Sequence, residues 1–176
     1  MPAREPKPTL DTLLEELADA DAAVRKQALF RIKRHYRGQA LGPILAALKD
    51  GQSEVRVQAA NALAALGDPR AVPALIAVCT DKSAFVRRSA VGALKTITSS
   101  AVPEGISDVQ PLMGLLADKN LQVRTLAASV LGALGNLQAI PALVARLPLA
   151  RDGELQAVTE ALASLRERQR YTRRIS

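Results

Sequence analysis

The sequence predicts an all-α fold, an α-solenoid of five helix pairs. Two observations carry that prediction. The first is a two-helix pattern that recurs at spacings of 31, 31, 37 and 31 residues, counted from Leu10, Leu41, Val72, Val109 and Ile140. A repeat of fixed period decides architecture before local propensities do. The second is the period inside each copy. Apolar residues fall at i, i+3, i+4 and i+7, the stripe of an amphipathic helix.

The second unit shows the pattern most clearly. Leu41, Ile44, Leu45 and Leu48 form one stripe, and Asp50-Gly51-Gln52-Ser53 is a turn cluster. Val55, Ala59, Ala62, Leu63 and Leu66 form a second stripe, with Gly67 placed to end that helix. A hairpin with two apolar faces cannot bury both alone, and the other units supply its neighbours. Their first helices are marked by Leu10, Leu13, Leu14 and Leu17; Val72, Leu75, Ile76 and Cys79; Val109, Leu112, Met113 and Leu116; and Ile140, Leu143, Val144 and Leu147. Their second helices are keyed by Val24, Val86 and Val123, with Glu154 in that slot of the fifth. Pro43, Pro73, Pro111 and Pro141 stand near first-helix starts, where a missing N–H costs little. Asp21, Ser83 and Asn120 suit the N-caps of second helices, and Gln52-Ser53 fills that place in the second unit.

Units such as DPRAVPALIAVCTDKSAFVRRSAVGAL resemble HEAT-like repeats of the short kind, about 31 residues long, best known from the HEAT-type phycobilin lyases. The resemblance implies a right-handed α-α superhelix, armadillo-like, whose second helices line a concave inner face. It places repeats at about 9–38, 39–68, 69–98, 108–136 and 137–167. Residues 1–8, MPAREPKP, are expected to be disordered, and residues 168–176 to form a basic tail that frays. The end units depart from the pattern. Arg31 and His35 take slots that are apolar elsewhere, while Leu149, Glu154 and Leu155 replace the Asp, Val and Arg of the series. Terminal repeats have one unpaired face, so such departures suit caps. The longer spacing leaves Thr98 to Ser107 between units, with Val102-Pro103 and Gly105, and predicts a protruding loop.

Composition narrows the function. No apolar run approaches the roughly 18 residues of a membrane span. There is no signal-peptide pattern, and a single cysteine excludes an internal disulfide. These point to a soluble, cytoplasmic chain. One His and one Cys make a poor metal set. Cys79 falls in a core slot, and His35 reads as a helix-end cap residue. The repeated His-Glu pairs of HEAT-like deoxyhypusine hydroxylases are missing, as is the tryptophan expected of HEAT-like DNA glycosylases. No phosphate-binding loop or nucleophile elbow occurs. The chain is expected to be no enzyme and to need no cofactor.

Charge gives the remaining candidates. The net charge is +7. Arg25, Lys26, Arg31, Lys33, Arg34 and Arg37 form one cluster without an acid, and Arg166, Arg168, Arg170, Arg173 and Arg174 another beside Glu167. Such clusters serve acidic partners or nucleic acid, or simply solvate the two ends. The series Asp19, Asp50, Asp81, Asp118 and Arg25, Arg56, Arg87, Arg124 reads as a structural ladder, with bonds within or between units. If second helices line the inner face, their outward positions include Lys26, Phe30, Lys33, Asn61, Arg88, Lys95 and Thr125. The expected function is a scaffold or adaptor, alone or as a subunit of a hetero-complex, that holds an acidic partner protein there. The alternatives are nucleic-acid backbone binding through the arginine clusters, and a subunit of a phycobilin lyase or isomerase.

Overall fold

The computed structural model describes residues 8–36, 39–101 and 106–175, with side chains to residue 172. The described residues hold ten α-helices in five pairs and no strand. The pairs are α1 (Leu10–Glu16) with α2 (Ala22–His35), α3 (Leu41–Ala47) with α4 (Ser53–Leu66), α5 (Val72–Val78) with α6 (Ala84–Ser100), α7 (Gln110–Gly114) with α8 (Leu121–Leu134), and α9 (Ile140–Arg146) with α10 (Asp152–Ile175). Each first helix packs on its own second helix, and the second helices pack on one another in chain order as a single layer. The chain is an α-solenoid.

Local chemistry sets these boundaries. Proline stands in the first turn of α5, α7 and α9, where its fixed φ suits a helix start. The 3-10 turns Pro69–Ala71 and Leu137–Ala139 lead into α5 and α9, capped by the side chains of Asp68 and Asn136. Helices α4 and α8 both stop at a left-handed glycine, Gly67 at φ 71° and Gly135 at φ 73°, a conformation that costs other residues energy.

The core repeats as the sequence does. Ile32, Leu63, Leu94 and Leu131 occupy one register and are fully buried, with Leu162 nearly so. Alanines in the second-helix layer let neighbours approach closely. At α8 and α10 the approach is closer still: a Cβ on Gly132 would meet the Cα of Ala161 at 2.7 Å. Gly132 is buried there, although it stands in the same outward register as Lys33 and Lys95.

Three expectations need correction. Thr98 to Ser100 continue α6 as helix, with Thr98 buried and its hydroxyl donating to the Leu94 carbonyl at 2.9 Å. The expected loop therefore begins at Ala101. Its residues 102–105 lie outside the described residues, and Ile106 packs back on the core. Residues 168–175 continue α10 as helix through Ile175, and Arg168 lays its guanidinium over Gly135. Side-chain capping occurs at Asp21 and Asn120 but not at Gln52 or Ser83. There Asp50 and Asp81 accept the N–H of Gln52 and Ser83 instead. The expected disordered stretch falls almost wholly in residues 1–7, outside the described residues; Pro8 is held by the Tyr36 hydroxyl, which donates to its carbonyl.

Candidate functional site

The charged residues separate into two groups, those consumed by the fold and those left on its surface. The first group is the ladder. Arg25, Arg56, Arg87 and Arg124 each stand in the first turn of a second helix. The Nη1 of each donates back to carbonyls of its own turn, as Arg56 does to Asp50 at 2.8 Å. Its Nε reaches forward to the next unit: Arg25 to Asp50, Arg56 to Asp81 and Arg87 to Asp118, each at 2.7 Å. Arg25 and Arg56 also donate through Nη2, which makes both contacts bidentate. The bonds thus run both within and between units, and Asp19 receives no arginine from a preceding unit among the described residues.

The ladder ends in a residue that the sequence reading assigned only to a divergent cap. Glu154 is buried, accepts Arg124 Nε on both oxygens at 3.1 Å, and accepts Arg146 Nε at 2.5 Å. Two coincident departures signalled it: the fifth unit loses its Asp to Leu149 and gains an acid five residues on. The carboxyl energetics agree. The hydrogen bond from Arg25 holds Asp50 below its ordinary value. For Asp81, Asp118 and Glu154 burial pushes upward, but the arginine bonds outweigh it and all three also lie low.

The basic clusters shrink accordingly. Arg25 is bound to Asp50, and Arg31 pairs with Glu16 at 3.1 Å. Arg37 and the side chains of Arg173 and Arg174 lie outside the described residues. Lys26, Arg34, Arg166 and Arg170 are exposed. The inner-face candidates all lie on second helices. Lys26 and Arg88 are exposed, Phe30 is 53% exposed, and Lys33, Asn61, Lys95 and Thr125 are half-buried. The surface is basic around α2 and α6 and lined by small side chains further on. Its acid is Glu160 on α10, which accepts a bond from Gln156 at 2.9 Å.

Little here can do covalent chemistry. Cys79 is buried, and burial pushes its thiol up to about 12, far from a reactive thiolate. Among the described residues no group of His, Cys, Asp or Glu is placed to hold a metal ion. A cleft of about 790 Å³ opens between the third and fourth units, beside the extra residues, with Thr80, Gln110 and Leu115 on its walls. Its arginine and one of its aspartates, Arg87 and Asp118, are already paired with each other. No helix among the described residues is long and apolar enough to cross a membrane.

A family model described as HEAT repeats matches residues 10–95 and 86–163. The uncharacterized phycocyanin operon protein Z of Pseudanabaena tenuis is 26% identical over 129 residues, which cover 72% of this chain and 64% of that protein. The chain thus spans less than two thirds of that relative's length. A designed armadillo repeat protein in complex with the peptide (KR)4 superposes at a TM-score of 0.74, with 24% identity, over 89% of this chain and 81% of that one. The complex of CpcE and CpcF of phycocyanin lyase from Nostoc gives a TM-score of 0.68, with 25% identity, over 94% of this chain and 68% of that one.

Proposed function

The chain belongs to the HEAT repeat family, and from that membership we propose that it is a non-catalytic scaffold that binds a partner protein on the inner face of its second-helix layer. The observation that carries the proposal is Phe30, a large aromatic left 53% exposed beside Lys26 on a face that also carries Arg88 and Lys95. Aromatic and arginine side chains carry much of the binding energy at protein interfaces. Lys26, Lys33, Arg88 and Lys95, which make no ion pair among the described residues, favour an acidic partner. A designed armadillo repeat protein of similar fold is in complex with the peptide (KR)4, which supports reading such a fold as a peptide or protein holder.

The test is affinity capture from native lysate, read by mass spectrometry, with the wild-type chain beside Phe30→Ala and Lys26→Glu/Arg88→Glu. A specific partner should be captured by the wild type and lost from both variants. Equal capture by all three would remove the inner face from consideration. A salt-dependent shift of random-sequence DNA, lost in the charge variant, would favour nucleic-acid binding instead. The likeness to phycocyanin proteins favours a second reading, one subunit of a two-chain lyase or isomerase assembly. A co-purified coloured tetrapyrrole would support it.

A further inference from the structure

The five units are not joined equally. Units four and five are locked together. Glu154 takes both Arg124 and Arg146, Arg168 lies over Gly135, and α8 and α10 meet at Gly132 and Ala161 with no room for a Cβ. Units two and three share the bidentate contact of Arg56 with Asp81. Their chain passes from α4 to α5 through Gly67 and the capped turn Pro69–Ala71. Gly135 and the capped turn Leu137–Ala139 join α8 to α9 in the same way.

The junction of units three and four has neither device. Among the described residues Arg87 reaches Asp118 through Nε alone, and its side chain is 20% exposed against 8% for Arg56. Helix α6 ends at Ala101 in extended backbone, without a left-handed glycine. The chain then changes allegiance. The Thr98 hydroxyl bonds within α6, whereas the Ile106 and Ser107 carbonyls are held by Asn136, at the start of the fifth unit. Between α5 and α7 the two units stand apart. The cleft of about 790 Å³ beside Thr80 and Leu115 has a second hollow of about 300 Å³ next to it, between Ala77 and Ile106, and Asp108 and Pro111 line both. The two units are held chiefly by α6 on α8, where Val91, Leu94, Ala128 and Leu131 are buried.

From this we infer that the junction of units three and four is a hinge. Units four and five swing as one body against units one to three. The packed layer of α6 and α8 is the pivot, and the cleft between α5 and α7 is the space that opens and closes. A repeat array is held by nearest-neighbour contacts, so motion concentrates at the weakest of them. A single ion-pair contact that water reaches resists little. Hinge motion between packed bodies needs only a few residues to change backbone angle and runs on the microsecond-to-millisecond scale. The hinge bears on recognition without depending on it. Lys26, Phe30, Lys33, Arg88 and Lys95 ride on the upstream body, and Thr125 and Glu160 on the downstream one, so the swing changes the distance between the two sets.

Two pairs of spin labels test this in the full chain, with the buried Cys79 replaced by alanine and distances read by double electron–electron resonance. Ala23→Cys/Phe85→Cys spans units one to three, and Glu54→Cys/Gln122→Cys spans units two to four. All four residues are exposed, and each directly precedes the valine that keys its second helix, so both pairs cross two junctions in one register. The pair that crosses the hinge should give a distance distribution about twice as wide as the other. Arg87→Ala should widen it further and leave the upstream pair unchanged. The hinge is overturned by equal widths, or by an Arg87→Ala change that widens both pairs or neither. It is also overturned if the wide distribution comes with a loss of helical circular dichroism, since units four and five would then be unfolding and not swinging.

Discussion

A residue in this chain is worth what its unit's register makes of it. Leu63 and Arg56 lie in the same helix and show two different kinds of contribution. Leu63 is fully buried between neighbouring helices, so Leu63→Ala removes transfer free energy and leaves a cavity, at a cost of about 2–5 kcal/mol. Arg56 is mostly buried and makes four hydrogen bonds, two to Asp81 and two to its own turn. Arg56→Ala exposes those acceptors to some water, so the loss is smaller, about 1–3 kcal/mol. Denaturant unfolding of the two variants should rank Leu63→Ala as the more damaging. The reverse order would mean that the ladder, more than the leucine register, holds the units together. Both positions were legible in the sequence because both recur. Glu154 was harder to read: it is an acceptor without a counterpart, and a slot-by-slot comparison registers it only as a lost valine.

At the level of elements, helices were readable where packing imposes a period, and less so where it does not. The end of α6 is the clearest case. The polar run Thr98-Ser99-Ser100 reads as a linker, yet the Thr98 and Ser99 hydroxyls donate back to carbonyls one turn earlier, and the helix continues. On the far side of the extra segment, the Asn136 side chain donates to the Ile106 and Ser107 carbonyls at 3.3 and 3.0 Å, tying it to the start of α9. These anchors define what a shortened chain must keep. Removing residues 100–105 restores the 31-residue spacing and spares Thr98, Ile106 and Asn136. The helical circular dichroism signal should be retained, since a shorter connection costs little. Loss of cooperative unfolding in that deletion would show that the segment separates two units that cannot pack directly.

The whole molecule inherits a pH dependence from its ladder. Asp50, Asp81, Asp118 and Glu154 are each held below the ordinary carboxylate value in the folded chain. Their stabilisation is therefore complete above the unfolded-state value of about 4 and is lost as pH falls through the lower folded values. The melting temperature should be nearly flat from neutral pH to about 5 and fall below about 4. Changing Asp50, Asp81 and Asp118 together to Asn should remove most of that acid-side slope. An unchanged slope would place the acid sensitivity elsewhere. The solenoid itself was legible from five copies of one pattern, since every unit must satisfy the same neighbours. The candidate binding surfaces were less so: the positions that face solvent obey no packing rule, and whether a cation is free depends on pairings such as Arg31 with Glu16 that no spacing announces.

The direction of the ladder has a consequence for how such a chain can change its length. Every internal junction between units one, two, three and four uses the same contact, an arginine from one unit and an aspartate from the next. Unit two carries both halves, Asp50 facing backward and Arg56 facing forward, and unit three carries Asp81 and Arg87 likewise. A tandem duplication of either unit would therefore arrive with its own connector at each end, and an in-frame loss would leave the flanking connectors able to meet. Only the last junction is different, because Arg124 closes on Glu154, and nothing with an aspartate in the usual slot could replace the fifth unit without giving up that buried glutamate. Growth and shrinkage by whole units are thus open at the junctions among units one to four and closed at the junction of units four and five.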